Sequence, residues 1–250
     1  MRVLIDGVLH LPFAAPSAKP LEPIPESFAP AANPSLGSEE ECTMRILVIG
    51  ATGATGRELV AQGMALGHEV TAAARKPESA GLPQGVKVVR ADATDAASLS
   101  AAVAGQDAVI SSLGTKIERK PTTLLSQGTR NLVAAMQLAG ISRLVCITGV
   151  GAGDSRGHGG FFYDHILNPL LLKEVYKDKD RQEAVVRESR LNWTLVRPGV
   201  LKNGPPTGAF RALTDLTRIT LGGITRADVA AYILGHLEDK TSYGQTINLG

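Results

Sequence analysis

Three glycines spaced three residues apart, set directly behind an apolar run, constrain this chain more than any other feature. Arg45-Ile46-Leu47-Val48-Ile49-Gly50 lacks polar alternation and has the length of a strand buried on both faces. Gly50-Ala51-Thr52-Gly53-Ala54-Thr55-Gly56 comes at once, and a helical pattern runs over 57–66. In such a turn the first glycine allows the tight bend, the second lets a diphosphate approach the backbone, and the third lets helix and strand pack together. The free amides and positive end of the helix then face the phosphates. Residues 50–56 are therefore assigned to a dinucleotide, with Thr52 and Thr55 as phosphate-facing side chains. A purely structural glycine turn is the alternative.

The chain beyond the turn keeps the same rhythm. Strands are predicted at 69–74, 86–90, 107–112, 143–148 and 193–197, with helices at 96–104 and 122–139 between them. Strands alternating with helices predict an α/β chain with a doubly wound parallel sheet, the Rossmann fold, and right-handed crossovers put helices on both faces. One domain is expected over 44–250, with a smaller carboxyl-terminal part from about Asn203 shaping the substrate cleft. The second strand ends in Ala74-Arg75-Lys76. A binder of NAD usually places an acid here, on the ribose 2′-hydroxyl. Arg75 instead offers a fork for a 2′-phosphate and Lys76 a point charge. The expected cofactor is NADP(H) rather than NAD(H), with a solvated basic turn as the plainer reading.

Residues 1–43 are different in kind. They hold seven of the fourteen prolines (Pro12, Pro16, Pro20, Pro23, Pro25, Pro30 and Pro34) and a net charge of −4, against +6 for the remainder. Proline at this density forbids a continuous helix and predicts a disordered or polyproline-like arm. Asp6, His10 and Pro12 interrupt any secretory signal, and the acidity argues against a mitochondrial transit peptide. The arm is expected to be dispensable for cofactor binding, with Met44 as a natural start; a partner-binding or targeting arm is the alternative.

Composition closes off several classes. Two cysteines, Cys42 and Cys146, are too few for a disulfide scaffold and fit a reducing cytosol, so a cytoplasmic protein is expected. No apolar run approaches the roughly 18 residues that span a bilayer, and no Cys/His/Asp spacing suggests a metal. Aromatics make up 4% of the chain and its basic residues are scattered, which disfavours nucleic acid. A small-molecule partner and a monomer or weak dimer are expected.

On these motifs the chain is identified as resembling the atypical short-chain dehydrogenase/reductase superfamily, in its NAD(P)H-binding branch. Within that branch it is similar to the biliverdin reductase B/flavin reductase group. Residues 44–250 carry the resemblance: the 50–56 turn, Ala91-Asp92-Ala93, the 105–110 segment, Leu113-Gly114-Thr115, Pro121-Thr122-Thr123, the 128–136 segment and 186–189. The segments 194–199 and 226–230 belong to the wider superfamily. The resemblance implies that Asp92 and Ala93 contact adenine and that Ser112, Leu113, Gly114 and Thr115 line the middle of the cofactor. It implies also that Ile147, Thr148 and Gly149 lie beside the nicotinamide and that Pro198, Gly199 and Val200 cover its amide. A helix cap for Asp92 and an ordinary strand exit for Leu113-Gly114 are the plainer readings.

The departures bear on chemistry. The superfamily's Tyr-x-x-x-Lys pair is missing: Tyr176 and Lys179 are three apart, and Val175 holds the tyrosine place. Lys179 aligns with a lysine of related branches and is the one catalytic candidate, although residues 176–181 read as a solvated, charge-rich helix face. Gly149 stands where the flavin-reductase group has a serine, and Glu183 where it has a histidine. The 149–160 segment has six glycines among twelve residues and reads as a flexible lid; Phe161, Phe162 and Tyr163 then supply an aromatic wall. His158 and His165 are minor candidates for an acid. The resulting expectation is an NADPH-dependent reductase of a flat aromatic acceptor such as a flavin, quinone or tetrapyrrole-like compound. A cofactor-sensing regulator without turnover is the alternative, and a sugar-nucleotide epimerase or dehydratase a third reading.

Overall fold

In the computed structural model, described over residues 43–115, 120–160 and 172–250, β1 (Arg45–Ile49) is buried along all but its first residue. It lies between β2 (Glu69–Ala74) and β4 (Ala108–Ser111), parallel to both, with Leu47 opposite Thr71 on one side and Val109 on the other. β3 (Lys87–Arg90) flanks β2. β5 (Arg143–Ile147) and β6 (Asn192–Pro198) extend the sheet beyond β4 in the same direction. Chain order therefore reverses between β1 and β4, the position at which open parallel sheets hold ligands beyond their strand ends.

Alternate residues of β1 serve opposite cores, which is why the run shows no polar period. Ile46 and Val48 pack with α1 (Ala54–Ala65) and α5 (Arg226–Gly235). Leu47 and Ile49 pack with α2 (Ala96–Val103), α3 (Leu124–Ala139) and Val186 of α4 (Lys173–Glu188). Residues after 203 join the same sheet. β10 (Gln245–Leu249) runs parallel to β6, and the short β8 (Ala212–Leu213) caps it antiparallel. β7 (Val200–Lys202) and β9 (Gly223–Thr225) form a separate parallel pair at the exit of β6. Residues 41–250 form one compact unit.

Buried polar side chains tie these layers together. Arg143 has no carboxylate partner among the described ion pairs; its guanidinium is spent on the carbonyls of Leu237, Asn192 and His236, on Thr194 and Ser242, and on the face of Tyr243. Asp228 accepts from Thr207 and Gly208 amides at 2.7 and 2.9 Å and from the Thr207 and Thr225 hydroxyls, which fastens the 203–211 segment to α5. Thr122 Oγ1 accepts from the Leu124 amide at 3.3 Å, but the N-cap Thr123 makes no side-chain bond, so the Leu125 amide of α3 needs a cap from elsewhere. Asp178, fully buried on α4, supplies it, accepting from the Leu125 amide at 2.8 Å and the Ser126 hydroxyl at 2.5 Å. Helix amides left without an acceptor are costly when buried. Asp178→Ala is expected to lower the unfolding free energy by about 2–3 kcal/mol, measured by urea denaturation.

Candidate functional site

The glycine turn is held tightly by its own backbone. Gly50 sits at φ 78°, and a Cβ there would stand 2.4 Å from the Ser112 carbonyl oxygen. A Cβ on Gly56 would stand 2.2 Å from the Gly50 carbonyl oxygen. Both positions therefore need glycine. Gly53 begins α1 with no side-chain cap, so the helix's first amides keep their donors for a ligand. Thr52, Gly53 and Ala54 are exposed at this point, whereas Thr55 is buried in the first turn. These residues fit the diphosphate of a dinucleotide.

The other sequence-expected cofactor residues lie at the carboxyl ends of successive strands. Arg75 and Lys76 leave β2 exposed. Asp92 leaves β3 in a turn, its Oδ1 accepting from the Thr94 amide at 2.9 Å and the Thr94 hydroxyl at 2.8 Å. Those two bonds hold its carboxyl below the ordinary range, and the attraction of Arg75 adds to them. The cap of α2 is Asp95, which accepts from the Ala97 and Ser98 amides. Ala93 is buried against Gly128, and its carbonyl accepts from Asn131. Ser112, Leu113, Gly114 and Thr115 leave β4 beside Gly50, with Leu113 leaning on the α2–α3 core. Ile147, Thr148 and Gly149 are buried at the end of β5, next to Pro198 and Gly199 at the end of β6; Val200 is exposed. The Pro198 carbonyl accepts from the Val150 amide at 2.9 Å, which joins the two exits.

The reading of residues 176–181 as a solvated helix face does not hold. Lys177 and Arg181 are exposed, but Tyr176 and Asp178 are buried and Lys179 is half-buried. The inward face of α4 carries Tyr176, Lys179, Gln182 and Glu183, so here a polar stripe faces the sheet. Lys179 Nζ donates to the Thr148 carbonyl and lies 5.6 Å from the centre of the Tyr176 ring. A Cβ on Gly149 would stand 3.2 Å from Tyr176 Oη and 3.4 Å from Lys179 Nζ. Both groups thus converge on the exit of β5. Sequence reasoning set Tyr176 aside because the spacing is three rather than four. The signal was present, since positions three apart share a helix face as well as positions four apart do. Burial lowers Lys179 to about 8, with Cys146 and Glu183 opposing. The Cys146 thiol is itself pushed up to about 12 by burial, so at neutral pH it carries no charge and Glu183 is the effective opponent.

Glu183 stands in a buried ion network. Its two oxygens accept from Arg197 Nε at 2.8 Å and Nη2 at 2.6 Å, and Thr148 Oγ1 donates to it at 2.8 Å. Arg197 also pairs with Asp154 in the glycine-rich loop. The first half of that loop is packed rather than open. Val150, Ala152 and Ser155 are buried, Gly151 donates to Ser155 Oγ at 2.9 Å, and Gly153 donates to Asp180 at 2.8 Å. A Cβ on Gly153 would stand 2.5 Å from Arg197 Nη2, so glycine here makes room for the guanidinium. His158 uses Nδ1 on the Ile219 carbonyl at 2.7 Å. Phe161, Phe162, Tyr163 and His165 lie outside the described residues. Among the described residues no helix is long and apolar enough to cross a membrane.

Comparison with known proteins supports a nicotinamide cofactor. Residues 50–240 match the model of an NAD(P)H-binding family. The chain belongs to that family. The Bacillus subtilis protein named sugar epimerase YhfK is 29% identical over 213 residues, covering 82% of this chain and 94% of its own length. A Streptomyces 3-diazoavenalumate denitrifying reductase is 38% identical over 220 residues, 82% of this chain and 71% of its own. A chloroplastic protein of Arabidopsis thaliana is 33% identical over 180 residues, 66% of this chain, and this chain spans 62% of its length. Among solved structures, ChuY, an anaerobilin reductase of Escherichia coli, superposes with a TM-score of 0.70 at 26% identity, covering 82% of this chain and 96% of its own.

Gly56→Ala is expected to lower the unfolding free energy by about 1–3 kcal/mol and to weaken dinucleotide binding at least about tenfold, read by calorimetry and fluorescence titration. Unchanged affinity would remove the diphosphate from this turn.

Proposed function

We propose that this protein is an NADPH-dependent reductase that delivers a hydride to a flat aromatic acceptor, of flavin, quinone or tetrapyrrole-like class. The observation that carries the proposal is the convergence of Tyr176 and Lys179 on Gly149, at the exit of β5. NADPH, held by the 50–56 turn with Arg75 and Lys76 on its 2′-phosphate, supplies the hydride. Gly149 and Pro198 border the space where an acceptor stacks, and two rings held face to face need mainly orientation for the transfer. Lys179, an ammonium lowered to about 8, remains protonated at neutral pH and is acidic enough to give up a proton. Tyr176 Oη beside it offers a second donor or a relay. Two similar proteins bear the name reductase, which supports the reading. The name of YhfK supports a second one, an epimerase, in which the same pair moves protons on a sugar nucleotide. A sensor without turnover loses ground, because the pair whose absence favoured it has a counterpart in Tyr176 and Lys179. The buried Cys146 fits a reducing cytosol, and the chloroplastic relative names another compartment for the test of location.

Purified protein is mixed anaerobically with NADPH and a panel of FMN, quinones, bilins and nucleotide sugars, and loss of the reduced-nicotinamide absorbance is followed. Turnover with a flat acceptor is expected; epimer formation without net NADPH loss would favour the second reading, and binding without turnover the sensor. With a reducible acceptor, kcat is expected to fall as pH rises through about 8, where Lys179 loses its proton. Lys179→Met is expected to abolish that limb and to lower kcat at least about tenfold. The same depression has a stability consequence. Between about 8 and the ordinary 10.5 the unfolded chain binds more protons than the folded one, so stability rises with pH across that window.

Cofactor choice gives a separate test. Arg75→Ala is expected to weaken NADPH by about 10- to 100-fold and NADH little, measured as dissociation constants. Equal loss for both cofactors would overturn the 2′-phosphate assignment.

A further inference from the structure

Directly behind the glycine turn stands Arg57, an exposed arginine that no motif marks. Its guanidinium spans a gap. Nε donates to the Thr52 carbonyl at 3.2 Å, inside the glycine turn. Nη2 donates to the Ala80 carbonyl at 2.7 Å, and Nη1 to the Gly81 carbonyl, both in the segment beyond Arg75 and Lys76. The turn and the exit of β2 are the two walls between which a dinucleotide's adenosine ribose sits. Arg57 is the side chain that joins those walls.

Its charge is the second point. Five of the described arginines pair with acids: Arg45 with Asp107, Arg156 with Asp180, Arg181 with Asp178, Arg187 and Arg197 with Glu183. None of the described ion pairs includes Arg57, Arg75 or Lys76. Carbonyl oxygens orient the Arg57 fork without neutralising it. A guanidinium has five N–H donors; three are used here, which leaves two and a full positive charge. The arginine is also ordered before any ligand arrives, so less rotamer freedom is lost when an anion binds.

We propose that Arg57 is a second arginine of the 2′-phosphate site, acting with Arg75 and Lys76 to set the preference for NADPH over NADH. Arg57 forms the floor between the two walls and keeps the 76–81 segment in place; Arg75 and Lys76 stand at its rim. The inference rests on the NADPH reading above, and its test separates the two. Dissociation constants for NADPH and NADH are measured by titration on the full chain, for the wild type, Arg57→Met, Arg57→Lys and Arg75→Met, with melting temperature recorded for each.

A wild type that binds NADH as tightly as NADPH overturns the cofactor reading itself, before any variant is considered. Given a wild-type preference, Arg57→Met is expected to reduce the NADH-to-NADPH ratio of dissociation constants at least about tenfold, with NADH affinity held within about threefold. The dependence of NADPH affinity on salt is expected to flatten alongside, as a charge contact is lost. A ratio that stays constant while both affinities fall, or while neither changes, overturns the inference and leaves Arg57 as a brace for the backbone. If Arg57→Met does not fold, Arg57→Lys is read by the same ratio: a decline of at least about threefold supports the role, and an unchanged ratio overturns it.

Discussion

The pairing of Glu183 with Arg197 is the contact on which the β5–β6 end of the candidate site depends. Two charges are removed from water there, the acid on α4 and the base on β6, with 3% and 2% of their surfaces exposed. Such a pair tolerates burial only because its remaining polar atoms are met as well. Thr148 meets one oxygen from the end of β5, and Asp154 meets the guanidinium from the loop beyond it. Four pieces of chain are thereby fixed to each other, and Gly153 supplies the space the guanidinium needs. Removing one partner would leave the other buried against a weaker counter-charge, Asp154 for Arg197 or Arg187 at 3.5 Å for Glu183, a loss of up to about 3 kcal/mol. The network also fixes Thr148, whose carbonyl takes the proton-bearing nitrogen of Lys179. Rigidity at the exit of β5 and the position of the candidate acid are thus consequences of one arrangement.

Much of the fold was legible in the sequence because its signals are local. The β1 run and the glycine turn carry their meaning within twelve residues, and β2 was read to the residue. α4 was harder. Its charges at 177 and 181 face outward as usual, while Tyr176, Lys179 and Glu183 face inward to partners on β5 and β6. Nothing in the helix itself distinguishes a buried Glu183 from a solvated one; the distinguishing residue is Arg197, on a different strand. β10 was also missed, since Gln245–Leu249 becomes a strand only by lying beside β6. In the glycine-rich loop the packing of residues 150–155 was not legible for the reverse reason. Its glycines were read as freedom, yet at Gly153 glycine is what close packing requires.

The two ends of the site are built on different physics. At the glycine turn the exposed groups are backbone amides and basic side chains outside any described ion pair, a set that suits an anion. At the exit of β5 the charges are buried and largely matched, and the weakly acidic Tyr176 and Lys179 converge there. The first end suits binding and the second suits proton movement, as expected of a fold in which a shared cofactor edge serves many chemistries.

The place of β10 has a further consequence for how the molecule is made. β6 gains its second neighbour only when residues 245–249 are available, long after β1 to β5 have been synthesised. Until then β6 is an edge strand, with Leu195 and Val196 in a row of unpaired backbone groups open to another nascent chain. Arg197 lies in that same row. Its partners Glu183 and Asp154, and Thr148 on Glu183, all precede it in the chain, so the ion network can close before β10 arrives, and only the backbone edge of β6 waits for residues 245–249.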